Sequence, residues 1–109
     1  MKNDYIATVS ELNEYASGLI ARDPLLTDIG VRGEISGYKR HSSGHVYFTL
    51  KDQAAQLRCV MFRQYAQMLS LQPIDGMQVT AYGSVSLYVR DGQFQLYVRR
   101  MEQQGEGGL

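Results

Sequence analysis

Between residues 38 and 47 the chain reads Tyr-Lys-Arg-His-Ser-Ser-Gly-His-Val-Tyr, a cluster of cations, hydroxyls and flat rings around one glycine. Lys39 and Arg40 can meet phosphates, and Ser42 and Ser43 can donate to phosphate oxygens. Tyr38, His41, His45 and Tyr47 offer ring faces on which bases stack whatever their sequence. Gly44 leaves room for close approach to the backbone. Further along, Phe62 is followed directly by Arg63, a ring and a guanidinium that suit a base and its phosphate, and Arg58 precedes them on the same run. Tyr88 and Arg90 stand before an Asp-Gly pair and extend the set.

Other chemistries fit the residues poorly. His41 and His45 are four apart across a glycine turn, and the nearest third ligand is a cysteine on an inward position, so no metal site is expected. Ser42 and Ser43 lack a strained nucleophile elbow, and the carboxylates are scattered to turns and a helix end, so no catalytic residue is expected in this segment. No glycine-rich phosphate loop with its lysine occurs, and no cofactor is expected.

The chain has 109 residues, enough for one domain with a real core. Its 11 basic and 11 acidic side chains cancel, but their placement is uneven. Residues 31–63 carry a balance of +4, against −3 before them and −1 after them. Any pull on a polyanion must therefore come from that middle third. A single cysteine, Cys59, excludes an internal disulfide and suits a reducing compartment. With no signal-peptide pattern and no long apolar run, the expectation is a soluble, cytoplasmic protein without a membrane partner.

The elements that must position these groups follow from the periodicity. Thr8 and Glu11 form a capping-box pattern ahead of a helix whose apolar residues Val9, Leu12, Tyr15, Leu19 and Ile20 recur at helical spacing, stopped by Asp23-Pro24. From Ile29 the pattern alternates: Val31, Gly33 and Ile35 inward, Arg32, Glu34 and Ser36 outward, with Gly33 marking a bend or bulge. Residues 36–45 are read as the loop after this strand. Val46, Phe48 and Leu50 face inward on a second strand; Leu57, Cys59 and Met61 do so on a third. The outward parity of Arg58 is chosen because an unpaired buried guanidinium is costly, and it places Arg58 on the face of Tyr47. Residues 63–73 suggest a short helix closed by Pro73, and two more strands meet at Asp91-Gly92, a strong hairpin signal. The order predicts a mainly β, five-stranded Greek-key OB-fold barrel with an N-terminal helix and a short helix between strands three and four. The expected organisation is a helical extension at 1–26, an OB-fold nucleic-acid-binding domain at 27–102, and a linker or truncated end at 103–109.

The blocks VSELNEY, VRGEISGYKRHSSGHVYFTLKD, LRCVMFR, DGMQV and GSVSLYVRDGQFQLYV resemble, in order and spacing, the N-terminal OB domain of the large subunit of bacterial exodeoxyribonuclease VII. That family degrades single-stranded DNA from either end to oligonucleotides, and its large subunit assembles with small subunits. The resemblance implies a DNA-binding module whose partners are single-stranded DNA, the rest of the large subunit and the small subunits, with hydrolysis in a later domain that this segment lacks. It departs from the pattern at Gly30, where relatives often carry an aromatic residue, and at Val89-Arg90, where an acidic residue is common. Two other readings stay open: an OB module for RNA, such as a transfer RNA, and a protein-interaction module for subunit assembly.

Overall fold

The computed structural model describes residues 4–104. Its elements are α1 (Val9–Arg22), β1 (Ile29–Arg40), β2 (Val46–Lys51), β3 (Gln56–Met61), α2 (Arg63–Ala66), β4 (Gln78–Tyr88) and β5 (Gln93–Gln103). The strands close into a barrel in the order β1-β2-β3-β5-β4. All neighbours are antiparallel except β3 and β5, whose parallel pairing of Arg58 with Gln95 and Val60 with Tyr97 closes the barrel. This is the Greek-key OB architecture expected from the element order. Of the stretch 103–109 expected to be a linker or truncated end, Gln103 is the last residue of β5 and the Gln104 N–H donates to the Gln78 carbonyl, while residues 105–109 lie outside the described residues.

The inward parity is as the alternation requires. Ile35, Phe48, Leu50, Cys59, Met61 and Leu96 are buried and form the centre of the core, joined by Val79 and Val98 from β4 and β5. Burial pushes the Cys59 thiol up to about 12, with a smaller opposing effect from a backbone hydrogen bond at Leu50.

Three local features depart from the sequence reading. Gly33 sits in an unbroken ladder with β4, and the bulge of β1 lies instead between Ser36 and Lys39. Gly37 supplies the left-handed turn it needs (φ 67°), and the Asp75 carboxylate accepts from the Gly37 and Tyr38 N–H groups at 3.0 and 2.9 Å. Because β1 continues to Arg40, the loop contracts to residues 41–45. The second helix is a single turn, after which Met68 and Leu69 donate back to Tyr65 and Ala66 in i→i−3 bonds.

The capping box of α1 is formed: the Glu11 N–H donates to Thr8 Oγ1 at 3.1 Å and the Thr8 N–H to Glu11 Oε1 at 2.9 Å. The helix rests on the barrel by Asn13, Ala16, Ser17 and Ile20, all half-buried, and Asn13 Nδ2 donates to the Val89 carbonyl at 2.9 Å. Of its apolar positions only Ile20 reaches this face; Val9, Leu12, Tyr15 and Leu19 remain exposed. At Gly30 the space of an aromatic side chain is taken by the ring of Tyr82 on β4, which lies over the glycine and is covered in turn by the Arg100 guanidinium 3.8 Å from its centroid.

Candidate nucleic-acid interface

Three strands lend their outer positions to one continuous face. Register puts Thr49, Arg58 and Gln95 on one rung and Tyr47, Val60 and Tyr97 on the next, with Phe62 immediately beyond β3. Outward residues two apart on neighbouring strands are within reach of one another, so Arg58 and Tyr47 share a face as their parity requires. Tyr47 and Phe62 are more than a third exposed, whereas Val60 is covered between its neighbours.

The rings form two linked groups. His41 meets Tyr47 edge-on at 4.6 Å between centroids. Phe62 lies nearly parallel to Tyr97 at 5.5 Å and 16°, and His45 stands against Phe62 at 5.3 Å and 80°. These are the offset-stacked and T-shaped geometries aromatic quadrupoles favour. A base has no room between Phe62 and Tyr97, but their outer faces present a platform two strands wide.

The loop 41–45 is fastened to the end of β3. The His41 N–H donates to the His45 carbonyl and the Gly44 N–H to the His41 carbonyl, closing a tight turn. Ser43 Oγ accepts from the His45 N–H at 3.5 Å, so Ser43 supports the loop from within. The Arg63 N–H donates to His45 Nδ1 at 2.9 Å, which leaves the proton of a neutral ring on Nε2. The aliphatic stem of Arg63 lies against Gly44, where a side-chain Cβ would come within 2.7 Å of Cδ and where φ is +93°. The room at Gly44, read from the sequence as space for a nucleic-acid strand, is therefore filled by Arg63.

The bulge redistributes the first cluster. Lys39 pairs with Tyr47 and shares its outer side, while Arg40 pairs with the inward Val46 and stands, exposed, at the barrel mouth. Tyr38 turns the same way as Arg40: half-buried, it packs on the core with its ring 6.0 Å from Phe48. Burial raises its hydroxyl pKa, and the nearby Arg40 charge works in the opposite direction. Tyr38 thus separates from Arg58 and Phe62, with which the sequence reading grouped it. Ser42 is exposed at the loop tip; Tyr88 and Arg90 are exposed at the β4–β5 hairpin, Tyr88 paired with Gln93.

A second depression continues the face toward that hairpin, lined by Thr49, Gln56, Leu57, Arg58, Gln93 and Phe94. Phe94 is 59 % exposed beside Leu57 and gives this end a further flat ring. Thr49, Gln95, Tyr97 and Phe94 are absent from the sequence-based set. The alternation of β5 around buried Leu96 and Val98 marks Tyr97 as outward, but only the β3–β5 pairing brings it to Phe62. Among the described residues no group of three His, Cys, Asp or Glu could hold a metal ion, and no helix is long and apolar enough to cross a membrane.

A closed five-stranded barrel with a ring-bearing, basic flank on its second, third and fifth strands defines an OB module of the nucleic-acid-binding class. The chain belongs to the family described as OB-fold nucleic acid binding domain, which matches residues 7–102. It is 45 % identical over 104 residues to an exodeoxyribonuclease 7 large subunit of Ruminiclostridium cellulolyticum, covering 95 % of this chain and 26 % of that protein. It is 49 % identical over 102 residues to the same subunit of Alkaliphilus oremlandii, covering 94 % and 25 %. The chain thus spans about a quarter of the length of these relatives. In fold it is similar to a chain of the Schizosaccharomyces pombe Stn1-Ten1 complex (TM-score 0.58, 18 % identity, 72 % of this chain and 58 % of that one). It is likewise similar to a chain of a replication protein A heterotrimer bound to single-stranded DNA (TM-score 0.57, 11 % identity, 72 % and 57 %).

Proposed function

We propose that this module binds single-stranded DNA along the outer face of β2, β3 and β5 and guides it toward a nuclease. The observation that carries the reading is the interleaving of the exposed rings of Tyr47 and Phe62, and the half-buried ring of Tyr97 stacked on Phe62, with Lys39 and Arg58 on one face. Rings hold unstacked bases and cations hold the phosphates between them, a combination that an unpaired strand satisfies and a duplex, with its bases stacked inside, does not. From Phe62 to Arg58 the face follows β3 for four residue steps, about 13 Å, room for two or three nucleotides. The Phe94 depression adds a place at the hairpin end, with Ser42, Tyr88 and Arg90 at the two rims.

The likeness to exodeoxyribonuclease large subunits supports a nuclease as the destination of the strand. In that reading the module contributes grip and direction, and phosphodiester hydrolysis belongs to the remainder of a large subunit working with its other subunits. No residue of this segment takes a catalytic role.

Fluorescence anisotropy with labelled thymidine 12-mers tests the proposal. Single-stranded DNA should bind more tightly than duplex of equal length, and Phe62→Ala should weaken it. Equal affinity for duplex, or a clear preference for the matched RNA strand, would sink it.

A further inference from the structure

The amphipathic stripe of α1 is turned away from the barrel. Val9 is 78 % exposed, Leu12 59 %, Tyr15 66 % and Leu19 49 %, while the helix is held by its small and polar side through Asn13, Ala16, Ser17 and Ile20. Beside the stripe, Tyr5, Ala7, Glu11, Leu12 and Tyr15 line a shallow groove at the N-terminal end of the helix. A full tyrosine presents roughly 150–250 Å² and an aliphatic side chain roughly 60–120 Å². At their observed exposures Tyr5, Val9, Leu12, Tyr15 and Leu19 offer roughly 300–600 Å² of largely apolar surface, as much as the largest patch of an ordinary monomer.

We infer that this face is a self-association surface, on which α1 of a second copy of the chain lies antiparallel. Three observations favour a second copy as the occupant. The area falls below the roughly 800 Å² per partner of a standard interface and within the roughly 600 Å² per partner of weak, transient ones, which suits a reversible dimer. The stripe is compatible with two-fold pairing: an axis midway between Leu12 and Leu19 sets Leu19 of one copy opposite Leu12 of the other, at the groove beside Tyr15. The charges agree with that direction. Glu11 and Arg22 lie eleven residues, close to three turns, apart and so flank the stripe on the same side. Antiparallel pairing puts the same flank of both helices on one side of the seam and brings each Glu11 toward the Arg22 of the second copy, whereas parallel two-fold pairing places those flanks on opposite sides and makes no such contact. None of these residues belongs to the proposed nucleic-acid face, and the dimer stands or falls independently of it.

Analytical ultracentrifugation of the protein from about 10 µM to about 1 mM tests the inference. The weight-average mass should climb from 12.3 kDa toward twice that value. Leu19→Glu and Tyr15→Glu, both at exposed positions, should weaken association at least tenfold while the circular dichroism spectrum is unchanged. Arg22→Glu should weaken it to a lesser degree. A wild-type protein that stays monomeric at 1 mM would overturn the proposal, including the case in which the stripe is covered only within a longer polypeptide. So would a dimer indifferent to Leu19→Glu and Tyr15→Glu.

Discussion

His45 and Arg63, 18 residues apart, are joined by a hydrogen bond from the Arg63 backbone N–H to the Nδ1 of the histidine ring, at 2.9 Å. The bond ties the loop between β1 and β2 to the start of α2, and the same histidine ring braces Phe62. Loop, platform and guanidinium stem are thereby one assembly, in which Gly44 is the point of closest approach.

Gly44→Ala should disrupt that assembly. The new methyl group meets the Arg63 stem in a left-handed backbone conformation, at a cost of roughly 1–3 kcal/mol. Thermal and urea unfolding should report the loss, and oligonucleotide affinity should fall with it because the Phe62 ring loses its support.

Phe62 and Tyr38 should separate function from stability. Phe62→Ala removes an exposed ring and should lower single-stranded DNA affinity about 5- to 100-fold, with a small change in melting temperature. Tyr38→Ala removes a ring packed on Phe48 and should lower stability by more than it lowers affinity. Anisotropy titrations paired with calorimetric melts distinguish the two.

Much of the fold was legible because local signals agreed: the Thr8–Glu11 box, the alternation of β2 and β3, and the Asp91-Gly92 hairpin each rest on neighbours in sequence. The placement of Tyr38 was not, for a definable reason. Simple alternation from buried Ile35 sends Tyr38 and Arg40 outward and Lys39 inward. The extra residue at Gly37 reverses all three, and the group that fixes it, Asp75, lies 37 residues from Tyr38. Phe94 and Tyr97 were missed for a related reason, since their value depends on β5 closing against β3. The outward Leu12 and Tyr15 show the limit of the helical pattern itself, which marks an apolar face without saying what covers it.

The charged part of the face should appear in salt dependence. If Lys39, Arg58 and Arg63, with or without Arg90, meet phosphates, a plot of log affinity against log salt should fall with a slope of about −2 to −3. Arg58→Ala should make that slope shallower by about 0.7. An unchanged slope would remove Arg58 from the phosphate contacts.

Cys59 should stay unreactive in the folded protein. Its thiol, pushed up to about 12, ionises in the unfolded chain near 8.5. The linkage is fully favourable below about pH 8.5 and is lost as pH rises toward the folded value. Stability falls by about 0.7 kcal/mol per pH unit at about pH 8.5, and the fall approaches about 1.4 kcal/mol per pH unit one unit higher. Urea melts at pH 8 and 9.5 should therefore diverge more for the wild type than for Cys59→Ala, and thiol reagents should label Cys59 only on unfolding.

The most direct test is a backbone amide NMR titration with a thymidine hexamer. The account predicts shifts concentrated at Tyr47, Thr49, Arg58, Phe62, Phe94 and Tyr97, with the signals of Tyr82 and Arg100 on the β1–β4–β5 side unmoved. Perturbations centred on Tyr82 and Arg100, with the outer face of β2 and β3 silent, would contradict it.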